Sequence, residues 1–392
     1  MNDFSICIPT KFIVGKNSPA QVGQEIARLG GNRVLLVHDG GVYLKALLDT
    51  VRASLAEAGL AVCELPEPAL RPSLSLIRRG IETVRENGVD FVLAVGGGTV
   101  MDTAKGIAFL AENDGPFTDY VLYRSASPKC LPCGCVCTLS GTGSEISATA
   151  MILDDEEEPP IKYPLFQESL RFRFSILDPS LTLSLPMKQT LSGAFDAFTH
   201  VMEHYFNGES GYDMQDRLCE GVMRSLIENM RAVVKDPQDY ETRAQLQMGA
   251  TLANSTLLGM GCDSDWAIHY MENPITTATH QPHGWDLAII APAWFKYTWR
   301  KDPKKAEQFA LRVLEVPAGK TREETVLAGV ETFPAFLKEV GLPVSLAEIG
   351  VTEEELPEYA RRAFATAGQE RLGGVSRLDY DDVLAVYKLA MG

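Results

Sequence analysis

The chain has 392 residues and carries 36 Lys and Arg against 52 Asp and Glu, a formal net charge of −16. That surplus argues against binding nucleic acid or an anionic membrane, both of which reward clustered basic side chains. Hydrophobic residues make up 45% and charged residues 22%, a balance that excludes a disordered or fibrous chain, and at roughly 100–200 residues per domain the length implies two domains.

No apolar run approaches the roughly 20 residues of a membrane span. The start, MNDFSICIPTKFIVG, lacks a basic segment followed by an apolar one, so no secretory signal is expected. The expectation is a cytoplasmic protein whose eight Cys are reduced thiols.

In chain order, Arg33–His38 reads as a strand, Val42–Ala58 as a helix and Leu60–Cys63 as a short apolar run. A helix from about Ser73 to Glu86 follows, then the continuous apolar strand Phe91–Val95, as expected where both faces of a parallel sheet are covered. This alternation predicts a doubly wound α/β domain. Cys133, Cys135 and Cys137 alternate in CGCVC, which puts them on one face of a strand as small buried hydrophobes. Together with Cys130 they also invite a metal-cluster reading, whose ligand spacings the run fits poorly. Asp154–Glu158 reads as a solvated acidic turn and Phe172–Leu177 as a further strand. Two Pro and two Ser in Asp178–Pro186 mark a boundary. Beyond it Met214–Val234, Ala244–Leu258 and Pro303–Leu314 read as amphipathic helices. The expected organisation is an α/β dinucleotide-binding domain over residues 1–186 and an all-helical domain over 187–392.

The strand Phe91–Val95 runs into Gly96, Gly97, Gly98 and Thr99, where a helix starts. Glycines let a ligand approach the backbone, and a helix N-terminus offers N–H groups and a positive dipole end to phosphate. The alternative is a tight βα turn. A second loop, Thr138-Leu-Ser-Gly-Thr-Gly-Ser-Glu145, follows the cysteine strand. Two such loops at strand ends point to a dinucleotide site. Asp39, at the end of the first strand, can accept from an adenosine ribose hydroxyl and repel a 2′-phosphate, favouring NAD over NADP. It can equally be the turn residue of Asp-Gly-Gly.

Five of the six His fall between residues 200 and 283. Asp196 and His200 are spaced i,i+4, which places them on one face of a helix. His269 lies on an expected helix and His283 in Pro-His-Gly. One carboxylate and three imidazoles make an all-N/O site suited to one divalent metal, Fe(II) or Zn(II). His200-Val-Met-Glu-His204 also matches H-x-x-E-H, the signature of a zinc peptidase with His200 and His204 as ligands and Glu203 activating water. That reading leaves both glycine loops unexplained; in the preferred one Glu203 supports the site or the fold. Trp266, Trp285, Phe198 and Phe295 read as pocket walls or as core.

Taken together, GGGTVMDTAK (96–105), TLSGTGSEIS (138–147), DPSLTLSLP (178–186), FDAFTHVMEHY (195–205) and HQPHGWDLAIIAP (280–292) resemble the iron-containing, group III alcohol dehydrogenases. DWAIH (265–269) is similar to the version in butanol-dehydrogenase-like members. The resemblance implies a dehydroquinate-synthase-like fold with cofactor and metal in a cleft between the domains, and a homodimer. It implies Asp196, His200, His269 and His283 as metal ligands and Gly96, Gly97, Gly98 and Thr99 at the diphosphate. Thr138, Thr142, Ser144 and Lys162 would lie along the cofactor, with Asp102 near the nicotinamide as a cofactor-binding and catalytic residue. Many members have a second His four residues after the third ligand. Here Asn273 stands in that place, and Asn takes up no proton at neutral pH; His280 is the candidate catalytic substitute. The implied activity is reversible hydride transfer between NAD(H) and a primary alcohol or aldehyde, with a lyase or synthase on the same fold as the alternative.

Overall fold

A computed structural model describes residues 3–66, 71–121, 125–158, 160–208 and 213–392. The chain forms two compact units, one of them Cys7–Ser184 and the other built on Leu185–Gly392. No described helix is long and apolar enough to cross a membrane.

The first unit holds strands β1 (Lys11–Val14), β2 (Arg33–His38), β3 (Ala61–Pro66), β4 (Phe91–Gly96), β5 (Cys133–Cys137), β6 (Thr149–Asp154), β7 (Ile161–Phe166) and β8 (Phe174–Leu177). Its helices are α1 (Val22–Arg28), α2 (Lys45–Glu57), α3 (Leu74–Asn87), α4 (Gly98–Leu110) and α5 (Phe117–Val121). Six strands form a parallel sheet in the order β1-β8-β5-β4-β2-β3. Every residue of the central strands β4 and β5 is buried, which their unbroken apolar sequences require. The chain steps outward from β2 to β3 and then returns to the other side of β2 as β4. Ligands of open α/β sheets bind at the carboxyl ends of strands beside such a reversal. Asp39 follows β2 there, and the triple glycine starts at Gly96, the last residue of β4.

Three strands escape the sequence reading. β1 is a four-residue edge strand with no buried position. β6 and β7 pair antiparallel as a separate hairpin, and β7 carries Pro164, an edge-strand residue that masks the pattern. The acidic turn of that hairpin is latched as well as solvated. Asp155 accepts from the Ser75 N–H at 3.0 Å, and Glu156 pairs with Arg78 at 2.6 Å, both on α3. α3 itself starts at the N-cap Ser73, whose side chain accepts from Leu76 N–H, and stops at Gly88 with φ 60°.

The described part of the second unit is built from helices: α6 (Met187–Tyr205), α7 (Asp213–Lys235), α8 (Tyr240–Ala253), α9 (Ala267–Thr279), α10 (His283–Thr298), α11 (Pro303–Arg312), α12 (Arg322–Val340), α13 (Leu356–Ala367) and α14 (Tyr380–Leu389). α8 begins and ends earlier than its apolar spacing suggests. Asp239 caps its start by accepting from Thr242 N–H, and at its end Ser255 Oγ returns to Leu252 O at 2.6 Å, so the chain turns before Leu258. Phe198 and Phe295 are fully buried and pack with Phe309 and Phe333 in the helical core, which makes them core and not pocket wall.

Candidate active site

In the first unit the two glycine-rich loops touch. A Cβ on Gly98 would stand 2.8 Å from Thr142 Cγ2, and one on Gly96 would stand 2.6 Å from Val100 Cγ2. Two of the three glycines are therefore demanded by the protein's own packing, while at Gly97 a Cβ meets only Leu139 at 3.4 Å. Thr138 N–H donates to Gly96 O at 3.1 Å, joining the two loops at their roots. Gly97 is the N-cap of α4 and has no side chain to satisfy the first N–H groups of that helix, which leaves them for an anion. Gly97, Gly98, Thr99, Thr138 and Thr142 are all partly exposed there.

Beneath these loops lies a brace that the sequence reading misses. Lys105 is fully buried, and its ammonium donates to Ser144 O at 2.7 Å, Thr149 O at 2.9 Å and Ser147 O at 3.0 Å. Asp102, one turn earlier on α4, accepts from Ser144 Oγ at 2.7 Å and Met151 N–H at 3.0 Å. Burial pushes the Asp102 carboxyl up and the Lys105 ammonium down, and each charge opposes the other's shift. Ser144 is 3% exposed, with its hydroxyl turned onto Asp102 and Lys105. These two expected cofactor contacts thus hold the second loop in place. Lys162 sits opposite Leu153 in the hairpin and adds positive potential at Asp102. Ser140, in the same loop, has a buried hydroxyl with no partner. Asp39 accepts from Gly41 N–H at 2.8 Å and from the Tyr43 hydroxyl, so it also shapes the turn.

In the second unit, α6 presents Asp196 and His200 from one buried face, α9 brings His269 in its first turn, and His283 is the first residue of α10. Gly284 makes the approach possible, since a Cβ there would lie 1.9 Å from Ser192 O and 3.0 Å from Asp196 N on α6. Asp196 Oδ1 stands 3.5 Å from His200 Nδ1, 3.5 Å from His269 Nε2 and 3.7 Å from His283 Nε2. Asp196 Oδ1, His200 Nδ1 and His269 Nε2 are buried with no hydrogen-bond partner. Such converging orphan donor atoms cost stability unless a cation satisfies them. Asp196, His200 and His269 have ligand atoms within 4.8 Å of one another, the spacing a shared ion needs.

Two further carboxylates hold the imidazoles. Glu203 bonds His269 Nδ1 and accepts from Ile268 N–H at 2.7 Å; Glu272 lies 2.7 Å from His283 Nδ1. Both glutamates are fully buried. Each stands three residues after a histidine on its own helix and serves the next one: Glu203 after His200, Glu272 after His269. Asp286 accepts from Thr276 and Thr279 at 2.9 and 3.2 Å, and burial beside Glu272 pushes it up to about 7. Burial pushes His200 down to about 3, a neutral imidazole ready to ligate. Burial also opposes charge on His269, but Glu203 and Asp196 overcome it and raise His269 to about 10. Burial opposes charge on Asp196 too, and the three imidazoles outweigh it and hold the carboxyl well below its usual range. A bound cation would displace the proton that these carboxylates hold on His269, and three buried carboxyl groups, Asp196 with the supporting Glu203 and Glu272, surround the imidazoles, an oxygen and nitrogen setting suited to a divalent cation.

The peptidase geometry is absent. Glu203 is committed to His269 and Ile268, and His204 turns its Nδ1 to Ser264 Oγ at 2.6 Å. His280 is exposed at the C-cap of α9 with φ 56°, its N–H closing the helix on Thr276 O, and it stands outside the Asp196 group. Trp266 takes a left-handed φ of 64°, and its ring meets those of His200 and His269 at 5.9 and 5.5 Å. That strain, about 1–3 kcal/mol for a non-glycine residue, is spent where the indole walls the donor group. Trp285 instead lies under Lys188, whose ammonium is 4.7 Å from the ring.

Glu203→Gln keeps the shape but loses the charge that orients His269. Metal affinity is expected to fall by about 10–100-fold, read by competition with a chromophoric chelator, while circular dichroism stays unchanged. An unaltered affinity would mean that Glu203 only fills space.

Residues 9–179 match the model of the iron-containing alcohol dehydrogenases, and residues 190–391 that of the carboxyl-terminal domain of the same family. The chain is 35% identical to a probable NADH-dependent butanol dehydrogenase of Bacillus subtilis and 31% identical to an NADPH-dependent aldehyde reductase of Escherichia coli, with 100% of each chain covered in both cases. Among solved structures, the NADH-dependent butanol dehydrogenase A of Thermotoga maritima superposes with a TM-score of 0.93 at 33% identity, covering 100% of this chain and 99% of that one.

Proposed function

The chain belongs to the iron-containing alcohol dehydrogenase family, and on that premise we propose that it interconverts primary aldehydes and alcohols with NAD(H) as redox partner. The observation that carries the reading is the convergence of unpartnered, buried donor atoms from Asp196, His200 and His269. With His283 they are the proposed ligands of one Fe(II) or Zn(II). A divalent cation bound there would supply Lewis acidity, lowering the pKa of an alcohol and polarising an aldehyde carbonyl.

The remaining work falls to the chain itself. Glu203 and Glu272 fix the ring orientation of His269 and His283. Trp266 packs its indole edge-on against the His200 and His269 rings and forms one wall beside them. Gly96, Gly97, Gly98 and Thr99 with the start of α4 are the proposed diphosphate cradle, flanked by Thr138, Thr142 and Lys162; Asp102 and Ser144 hold that cradle rigid. A nicotinamide cofactor held by these loops would supply the hydride chemistry. The names of the butanol dehydrogenase relatives support unbranched aldehydes of a few carbons as substrates. Cytoplasmic location and a homodimer belong to the same proposal, supported by eight unpaired cysteines and by the family resemblance.

A panel of aldehydes with NADH and NADPH tests the function. Butanal should drive NADH oxidation that chelation abolishes and Fe(II) or Zn(II) restores; no net change in NADH or NADPH with any aldehyde would favour a lyase or synthase. Asp39→Gly removes the carboxylate proposed to face the ribose. It is expected to raise the NADPH to NADH ratio of kcat/KM about tenfold, the scale of one like-charge contact of ~1.4 kcal/mol near a surface. An unchanged ratio would confine Asp39 to its turn.

A further inference from the structure

Of the three histidines in the proposed ligand set, His269 is held by Glu203 and His283 by Glu272. His200 has no glutamate of its own among the described residues, where its ion-pair partner is Asp196. Its ring is flanked by other rings instead. That of His269 stacks on it at 4.6 Å and 22°, and the Trp266 indole meets it edge-on at 5.9 Å and 69°. The same indole meets His204, one turn further along α6, at 5.3 Å and 84°. How the His200 ring can turn therefore depends on where the indole stands.

The indole is aimed by its own backbone. Trp266 is the N-cap of α9 at φ 64° and ψ 2°, a conformation that a bulky residue keeps only where its neighbours impose it. Asp265, the residue before it, is tied on every side. Its N–H donates to Glu203 O at 3.0 Å, and its carbonyl accepts from Gly374 N–H at 2.9 Å. Its buried carboxylate accepts from Ser376 N–H at 2.6 Å, Ser376 Oγ at 2.9 Å, Val375 N–H at 3.1 Å and Ala267 N–H at 3.2 Å. A Cβ on Gly373 would stand 2.7 Å from Asp265 Oδ1, and one on Gly374 would stand 2.6 Å from Ser264 O, so both glycines let this turn close on the carboxylate. The residues on both sides of Trp266 are thus pinned to α6 and to the turn 373–376. We infer that Asp265 is a positioning residue: seated in that turn, it holds Trp266 left-handed so that the indole fixes the His200 ring for metal binding. The inference rests on the ligand set proposed above and gives each imidazole a support of its own. A residue that only capped α9 would need one acceptor, which asparagine supplies as well as aspartate; Asp265 uses both oxygens, two donors on each.

The test is a double-mutant cycle read by Zn(II) affinity. Chelator-stripped full-length protein, unaltered or carrying Asp265→Asn, Trp266→Gly or both, is titrated with Zn(II) against a chromophoric chelator, with melting followed by circular dichroism. Asp265→Asn and Trp266→Gly should each weaken Zn(II) binding about tenfold, the lower end of the range for residues that support a ligand. The double variant should bind no more weakly than Trp266→Gly alone, because Asp265 acts through the indole. Ser376→Ala withdraws one donor and leaves the carboxylate its other three; it carries the test if Asp265→Asn does not fold, and should weaken binding by a smaller factor. Losses that multiply in the double variant, or a lower melting temperature with Zn(II) affinity unchanged, would overturn the inference. No Zn(II) bound by the unaltered chain would overturn the ligand set itself and this inference with it.

Discussion

Asp196→Ala is expected to abolish metal binding and, with it, nearly all alcohol–aldehyde turnover. Asp196 is the one carboxylate in the proposed ligand set, and its Oδ1 lies within 3.7 Å of nitrogens on all three histidines. Its removal leaves three imidazoles without an anionic ligand and frees His200 to move. Losing Lewis-acid stabilisation of several kcal/mol corresponds to about a thousandfold or more in kcat/KM. The fold itself should survive, because Asp196 Oδ1 makes no hydrogen bond that helices α6, α9 or α10 depend on. Metal content by inductively coupled plasma mass spectrometry, taken beside circular dichroism and turnover, checks the prediction. A folded Asp196→Ala protein with a full complement of metal would remove Asp196 from the ligand set.

Lys105→Met is the second large effect, and it acts on stability. Methionine keeps the apolar stem but withdraws the donors that satisfy the carbonyls of Ser144, Ser147 and Thr149. It also strips the buried Asp102 of its nearby positive charge. Breaking one side of a buried charged network costs about 3–5 kcal/mol, and at roughly 2–4 °C per kcal/mol the first unit should melt about 10 °C lower. Because Lys105 tethers the second loop, the Michaelis constant for NADH should rise while metal content stays full. A melting shift of only a degree or two would show that the network is not needed for the fold of this unit.

The site was legible where one helix supplied its pattern and illegible where two had to meet. Asp196 and His200 share an i,i+4 face, and the scarcity of histidine drew attention to His269 and His283. The supporting carboxylates were harder to see. Glu203 carried a misleading signature, since H-x-x-E-H describes spacing on α6 alone, whereas its partner His269 belongs to α9. The repeat of His-x-x-Glu at His269 and Glu272 was the available signal. Gly284 carries no pattern of its own, and only packing reveals that its missing Cβ admits α6. In the first unit the glycine loops and central strands were plain from their apolar runs. The Lys105 brace was not, because a lysine in a helix reads as solvent-facing until the hairpin of β6 and β7 closes over it. That hairpin went unseen for the reason that hides most edge elements: half-buried strands, one broken by Pro164, carry a weak period-2 signal.

The central claim is that one divalent ion, held by Asp196, His200, His269 and His283, is required for turnover. Its most direct test is titration of chelator-stripped protein with Fe(II) or Zn(II) under anaerobic conditions, following NADH oxidation by butanal at each addition. Activity should rise linearly and level off at one ion per chain, and His269→Ala should show no such rise. Full activity in the stripped protein, or saturation that is the same in His269→Ala, would contradict the account.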